Sequence, residues 1–255
     1  MSELPPTTPP PRRNRPQRQN RIAWFLFVAV IVVIGAVIRF PGLFTDFWLD
    51  EIWSFLIARQ LHSIGDLLFS EAARIDNNHL LNTWFLYVLG DRPDWWVYRV
   101  PALVSGVGSI IAAAHLMSRF GRVEATFATL LVAISFPLVF YSSEARGYAM
   151  ASFFAIVAFD ALLADLHHPR TWTALLFNVF CVLGFLAHLT FVHFYLAAMF
   201  WSVLRIRRST DSIPQQLIRW LGLNAIPVAL CATLYLTFIR HLIIGGSKAA
   251  PVSVP

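Results

Sequence analysis

A chain of 255 residues that is 57% hydrophobic and only 13% charged, with a mean hydropathy of +0.62, cannot cover a soluble globule with polar groups. Lipid must be the solvent for much of its surface. The formal net charge of +6 does not indicate nucleic acid, because every basic residue but Lys248 is arginine and many stand in short runs between apolar stretches rather than along one face.

Residues 1–21 are rich in Pro, Arg and Asn, and a segment so poor in apolar side chains is expected to be a disordered cytoplasmic tail. Ile22 to Phe40 is long enough to cross a bilayer and too long for a signal peptide, with no small-residue cleavage site before Pro41. It reads as a retained first span. Residues 41–97 then form a loop too long for a simple connection, and long structured loops usually carry function. Within it, Ile52 to Leu61 and His79 to Leu89 have helical apolar spacing, decorated by Trp48, Trp53, Trp84, Trp95 and Trp96. Amphipathic helices with such tryptophans lie along a membrane interface.

Further apolar runs cover 98–118, 123–143, 148–166, 171–188, 190–205 and 219–240. The expected fold is therefore all-α, a polytopic transmembrane bundle of about seven spans with a long first outer loop. The runs 171–188 and 190–205 sit near the lower length limit. Cys181 and Cys231 fall inside apolar runs and read as small hydrophobes. Arginines decide orientation: Arg119, Arg122, Arg170, Arg205, Arg207 and Arg208 fall on the side of the N-terminus, the cytoplasm. Residues 22–240 make one transmembrane domain, and 241–255 a short non-cytoplasmic tail. Asp46, Asp50, Glu51, Asp66, Glu71, Asp76, Asp91, Asp94 and Glu144 all fall outside. Acids contribute little to orientation, so these need another explanation.

Three segments could carry chemistry. Asp50 and Glu51 are adjacent acids between Trp48 and Trp53, where burial near the membrane would raise a carboxylate pKa toward that of a general base. The plainer reading makes them the acidic first turn of a loop helix. Asp76-Asn77-Asn78-His79 precedes an apolar run; Asn77 or Asn78 could cap that helix, and His79 could meet a phosphate or a divalent cation. Tyr141 to Tyr148 is a tight turn in which Arg146 offers a fork to a phosphate and Glu144 could orient it, or the two simply pair. Arg99 is a second candidate for an anion. Asp160, inside a span beside Asp165, reads as structural.

In this order and topology the three segments resemble the GT-C superfamily of membrane glycosyltransferases, within it the branch of protein O-mannosyltransferases, the aminoarabinose transferase of lipid A and the RgtA/B/C/D-like enzymes. That family has an Asp-Glu pair in a long first outer loop, matched by Asp50 and Glu51. A His-Pro-Pro-like motif later in the loop is matched only in part by Asn78-His79-Leu80-Leu81, without the prolines. A Tyr-Ser-x-x-Ala-Arg-x-Tyr-like turn is matched by Tyr141 to Tyr148. The likeness covers about residues 22–205; family members usually continue with several more helices after the point where this chain stops. It implies a sugar donor on polyprenyl phosphate and an acceptor lipid, glycan or protein, with no nucleic acid. Asp50 would be the base for displacement with inversion, and Glu51 would support it or hold a cation. Arg146, with Arg99 or His79, would neutralise the departing phosphate, and Glu144, Tyr148 and Trp48 would shape the substrate site. The resemblance makes no cofactor certain; a divalent cation (Mg or Mn) on Glu51 or His79 is the one it leaves open. A transporter is disfavoured, since charges crowd one face and no paired repeat stands out. The alternative kept is a non-catalytic membrane scaffold or a fragment of a larger glycosyltransferase.

Overall fold

The computed structural model of the chain describes residues 15–75 and 77–243. Most of the expected N-terminal tail, Asp76 and most of the expected C-terminal tail lie outside these. Every regular element among the described residues is helical, and the only bridge is an isolated pairing of Ile75 with Ile243.

Helix α1 (Arg15–Arg39) starts before the expected beginning of the span at Ile22. Pro16 suits a first helical turn, and the Gln and Arg residues that follow are good helix formers. Four segments are long and apolar enough to cross a membrane: Asn20–Phe44, Trp95–Met117, Tyr148–His167 and Ile213–His241. Along α1, Phe25, Leu26, Phe27, Val33 and Val37 are exposed. Water would penalise that face by roughly 25 cal/mol per Å2, and lipid would not. The chain is built for a membrane.

The remaining expected spans are shorter or broken. Helix α9 (Thr171–Ala187) has 17 residues and α10 (Phe191–Ile206) has 16. At the helical rise each reaches about 25 Å, short of the ~30 Å hydrocarbon layer. The expected division of 171–205 is present, at the link 188–190.

The run 123–143 is two helices, α6 (Arg122–Ile134) and α7 (Phe136–Tyr141), hinged at Ser135 with ψ 116°. Pro137 has no N–H to give the carbonyl four residues back, that of Ala133. Arg39, at the end of α1, fills the gap: its Nη1 donates to Ala133 O at 2.8 Å and its Nη2 to Val132 O at 2.8 Å. Its Nε donates to Ser142 Oγ at 3.2 Å, so one buried guanidinium ties α1 to the end of α6 and to the turn beyond α7. Gly106 of α5 (Val100–Met117) faces the same point; a Cβ there would collide with Ser142 Oγ.

The long segment after α1 holds α2 (Leu49–Arg59), α3 (Asp66–Phe69) and α4 (Leu80–Leu89), with 3-10 turns at Phe40–Phe44, Ala72–Arg74 and Trp95–Arg99. Ala58 of α2, Leu86 of α4, Tyr98 and Ala145 form a small buried cluster that seats this segment on the bundle. The main core lies where α8 (Tyr148–His167), α9, α10 and α11 (Ile213–Thr237) meet, around Leu162, Phe177, Tyr195 and Leu223. After α11 the described chain returns to the long segment: Ile243 N donates to Arg74 O at 2.8 Å. Asp160 pairs with Arg119 at 2.6 Å, and Asp165 accepts from Thr173 Oγ1 at 2.7 Å and lies 3.8 Å from Arg219. Both acids are thus engaged within the bundle.

Candidate functional site

The turn 142–147, between α7 and α8, is where the chemically promising residues converge. Few of its backbone groups bond within the turn, so distant segments satisfy them, as buried peptide groups require. Ala145 N donates to Glu51 Oε1 at 2.6 Å, and Asn82 Nδ2 of α4 donates to Ala145 O at 2.6 Å. Gly147 N donates to His79 Nδ1 at 3.2 Å. Gly147 sits so close to the end of α9 that a Cβ would collide with the Ala187 carbonyl oxygen. That approach is what demands glycine there.

Glu51 and Arg99 form the hub beneath the turn. Both are 1% exposed, and Arg99 Nη2 meets Glu51 Oε2 at 2.7 Å while Nε meets Oε1 at 2.8 Å. Trp48 N also donates to Oε2 at 3.1 Å, which caps the first turn of α2. Arg99 Nη1 donates to the Gly42 and Thr45 carbonyls at 2.9 and 2.6 Å, and Nη2 to the Asp46 carbonyl at 2.8 Å. All five N–H directions of the guanidinium are used. Arg99 therefore has no free donor for an incoming anion, and Glu51 has no free lone pair for a metal. The pair positions the loop.

Asp50 and Arg146 lie above that hub. Arg146 Nη1 donates to Asp50 Oδ2 at 2.7 Å, with side chains 16% and 48% exposed respectively. The other Asp50 oxygen accepts no protein hydrogen bond among the described residues. The guanidinium carbon of Arg146 lies 4.8 Å from the centre of the Tyr148 ring, and Tyr148 stacks on Tyr141 with centroids 4.5 Å apart. These aromatic faces hold the arginine in place through its π-system contact.

Around Tyr148 the site contains polar groups that the protein itself leaves unmatched. The His79 and His188 rings meet edge to face at 4.5 Å, and Tyr148 lies 5.0 Å from His79 and 4.4 Å from His188. His79 Nδ1 accepts from Gly147 N, and His188 Nδ1 accepts from Thr190 N at 3.1 Å. Each neutral ring therefore carries its proton on Nε2. Among the described residues neither Nε2–H has an acceptor, nor do Arg146 Nε and Asn77 Nδ2, whereas Glu144 Oε2 is a buried acceptor without a donor. Four unmatched donors against one acceptor make the place anion-seeking. Each unmatched buried group costs about 1–3 kcal/mol, which a ligand rich in acceptors would relieve.

Electrostatics point the same way. Burial pushes His188 down to about 4, helped by the Arg146 charge. His79 is held well below the ordinary imidazole range by burial, then by His188 and Arg146; the nearby Ala187 carbonyl opposes this without giving Nε2 a hydrogen bond. Both imidazoles are neutral donors near pH 7. Burial raises the Glu144 carboxyl, with Glu51 and Asp50 adding to the rise and Arg146 opposing it. A group raised in this way prefers to hold a proton when an anion approaches.

Asp50, Glu51, His79, Arg99, Glu144, Arg146 and Tyr148 are thus gathered from four separate stretches of sequence. Trp48 contributes its backbone N–H to Glu51, but its ring is exposed. Neither Asn77 nor Asn78 is the cap of α4; His79 holds that position without a side-chain cap bond, and Asn77 Oδ1 accepts from His79 N at 3.3 Å and Thr83 Oγ1 at 2.9 Å. Sequence reasoning missed His188, Asn82 and Arg39. Among the described residues no three His, Cys, Asp or Glu side chains gather to hold a metal ion. The nearest candidate ligands, Glu51 and His79, fit one poorly, since Glu51 is saturated and His79 keeps only Nε2. No family model, no curated protein and no solved structure matches this chain. Its chemistry has to be read from its own residues.

Proposed function

We propose that the chain is a membrane glycosyltransferase that moves a sugar from a polyprenyl-phosphate donor to an acceptor hydroxyl, with inversion. The observation that carries this reading is the set of unmatched donors on His79, His188, Asn77 and Arg146 beside an ion-paired but half-exposed carboxylate, Asp50. A phosphate ester supplies acceptors to all of those donors, and its entry competes with Asp50 for Arg146. Asp50 is then released at the moment a base is needed. The step is a direct displacement: the acceptor oxygen bonds to the sugar C1 as the C1–O bond to phosphate breaks. The acceptor proton passes to Asp50, and the electron pair leaves on the phosphate oxygen. Polyprenyl phosphate is a good leaving group once Arg146 and the two imidazoles hydrogen-bond it, so no general acid is required.

The topology that goes with this reading has about seven spans, with α6 and α7 together, α9 and α10 as the shorter ones. The arginine pattern puts the N-terminus in the cytoplasm and the Asp50 loop on the other face of the cell membrane. A groove of about 500 Å3 along the segment that Arg99 holds, walled by Phe47, Trp95 and Trp96 with Asp46 and Asp94 in its lining, is of a size to hold the acceptor. The test is transfer in membranes containing the wild-type chain, with radiolabelled polyprenyl-phosphate hexoses and pentoses offered in turn. Label moving to a lipid, glycan or protein acceptor supports the enzyme. No transfer from any donor, with the chain inserted and folded, favours a non-catalytic scaffold or a part of a larger transferase.

A further inference from the structure

At the opposite end of the bundle, α1, α5 and α6 enclose a cleft of about 650 Å3. Arg21, Arg122, His115 and Ser118 form its polar side, and Phe25 and Ile111 its apolar wall. It lies a full helix length from Asp50, because Arg21 begins the α1 span that Arg39 ends, and Ser118 follows the helix that Arg99 precedes. The two arginines differ from the other basic side chains nearby. Arg119 is neutralised by Asp160 at 2.6 Å, and His115 lies 3.4 Å from the same carboxylate. Arg21 and Arg122 are exposed and form no ion pair among the described residues.

Arg122 is also held in place. Its guanidinium carbon lies 5.9 Å from the Trp24 ring centre, and Trp24 Nε1 is fixed by donating to Thr126 Oγ1 at 3.0 Å. An indole anchored by its N–H presents its face to the arginine, whose exposed side chain stands at the cleft mouth. From that mouth the apolar wall runs on along α1 and α5, where Phe25 is 56% and Ile111 55% exposed.

We propose that this cleft binds an anionic phospholipid, its phosphodiester between Arg21 and Arg122 and one acyl chain along Phe25 and Ile111. Charge complementarity selects the occupant. A zwitterionic lipid brings its own cation to two arginines, and free phosphate gains nothing from the apolar wall. Basic pockets between transmembrane helices suit anionic headgroups, with each arginine strengthening binding about fivefold.

The experiment is native mass spectrometry of the purified full-length chain, released from detergent with phosphatidylglycerol and phosphatidylcholine in equal amounts. Wild type should retain phosphatidylglycerol in preference, and R21Q/R122Q should weaken that retention by roughly 25-fold. R21K/R122K, which keeps the charge, should retain most of it, and both variants should melt like wild type because neither arginine holds the fold. Equal retention of the two lipids by wild type overturns the proposal. So does unchanged retention by R21Q/R122Q, or displacement of the lipid by millimolar inorganic phosphate, which would reduce the cleft to a simple anion site. Binding is read without any transfer assay, so the result stands apart from the glycosyltransferase reading.

Discussion

Arg146 Nη1 and Asp50 Oδ2 stand 2.7 Å apart although 96 residues separate them in sequence. Around this contact the protein places two neutral imidazoles and the buried Glu144, so among the described residues Arg146 is the cation with a donor left for an anion entering beside Tyr148. Arg99 sits close by, but its donors are already committed to Glu51 and to four backbone carbonyls. One arginine organises the loop; on the proposed chemistry the other faces the substrate.

That division predicts different failures. Arg99→Met should unfold the loop, because it leaves Glu51 as an unpaired buried charge and strands the carbonyls of residues 42–46. Breaking such a pair costs about 3–5 kcal/mol. Glu51→Gln also leaves a buried charge, that of Arg99, without its counter-ion, but Arg99 keeps its carbonyl partners, so the cost should fall at the lower end, about 3 kcal/mol. Thermal melts in detergent check the order; an Arg99→Met variant as stable as wild type would show that the hub is dispensable.

Arg146→Gln should leave the melt nearly unchanged, since the side chain pairs only with a half-exposed acid. On the proposed chemistry it should lower kcat/KM for the lipid-linked donor by roughly 100- to 1000-fold. Parallel melting and steady-state transfer measurements separate this from the Arg99 effect.

The histidines make stability pH-dependent. His188 falls from 6.5 unfolded to about 4 folded, so the native state binds fewer protons than the unfolded state between those values. Stability is therefore full above 6.5 and declines as pH drops toward 4, by on the order of 3 kcal/mol from this residue. His79 adds to the decline in the same direction. His188→Gln should flatten the slope of melting temperature against pH in that window, while wild type and variant converge near neutral pH apart from a constant offset.

Arg39→Met should destabilise the bundle by about 3 kcal/mol, by stranding the Val132 and Ala133 carbonyls freed at the Pro137 hinge. Arg39→Lys should recover only part of this, since an ammonium cannot span the separate acceptors that the guanidinium reaches. Melting curves of the two variants against wild type give the comparison.

Much of this architecture is readable from residue order alone. Apolar runs and their polar breaks mark the helices, including the short pair divided at His188–Thr190, because periodicity and length are local properties. The meeting of Asp50 with Arg146 was legible only through motif order. Other parts were hidden for physical reasons. Arg99 follows a Trp-rich stretch and reads as a candidate for an anion; that Glu51 takes its charge instead depends on tertiary packing. His188 is a lone histidine where two apolar runs meet, and nothing local shows that it packs edge to face against His79. Arg39 reads as a helix-end cation. The missing N–H of Pro137 and the stranded Ala133 carbonyl were the available clue, but the partner lies 94 residues away.

The most direct test of the account is sugar transfer in membranes by wild type and Asp50→Asn at matched expression and insertion. Asparagine keeps the shape and a hydrogen-bonding oxygen toward Arg146 but cannot take up the acceptor proton. Transfer by Asp50→Asn should fall at least about 100-fold below that of wild type, with donor binding retained. Transfer that persists undiminished in Asp50→Asn would contradict the assignment of the base.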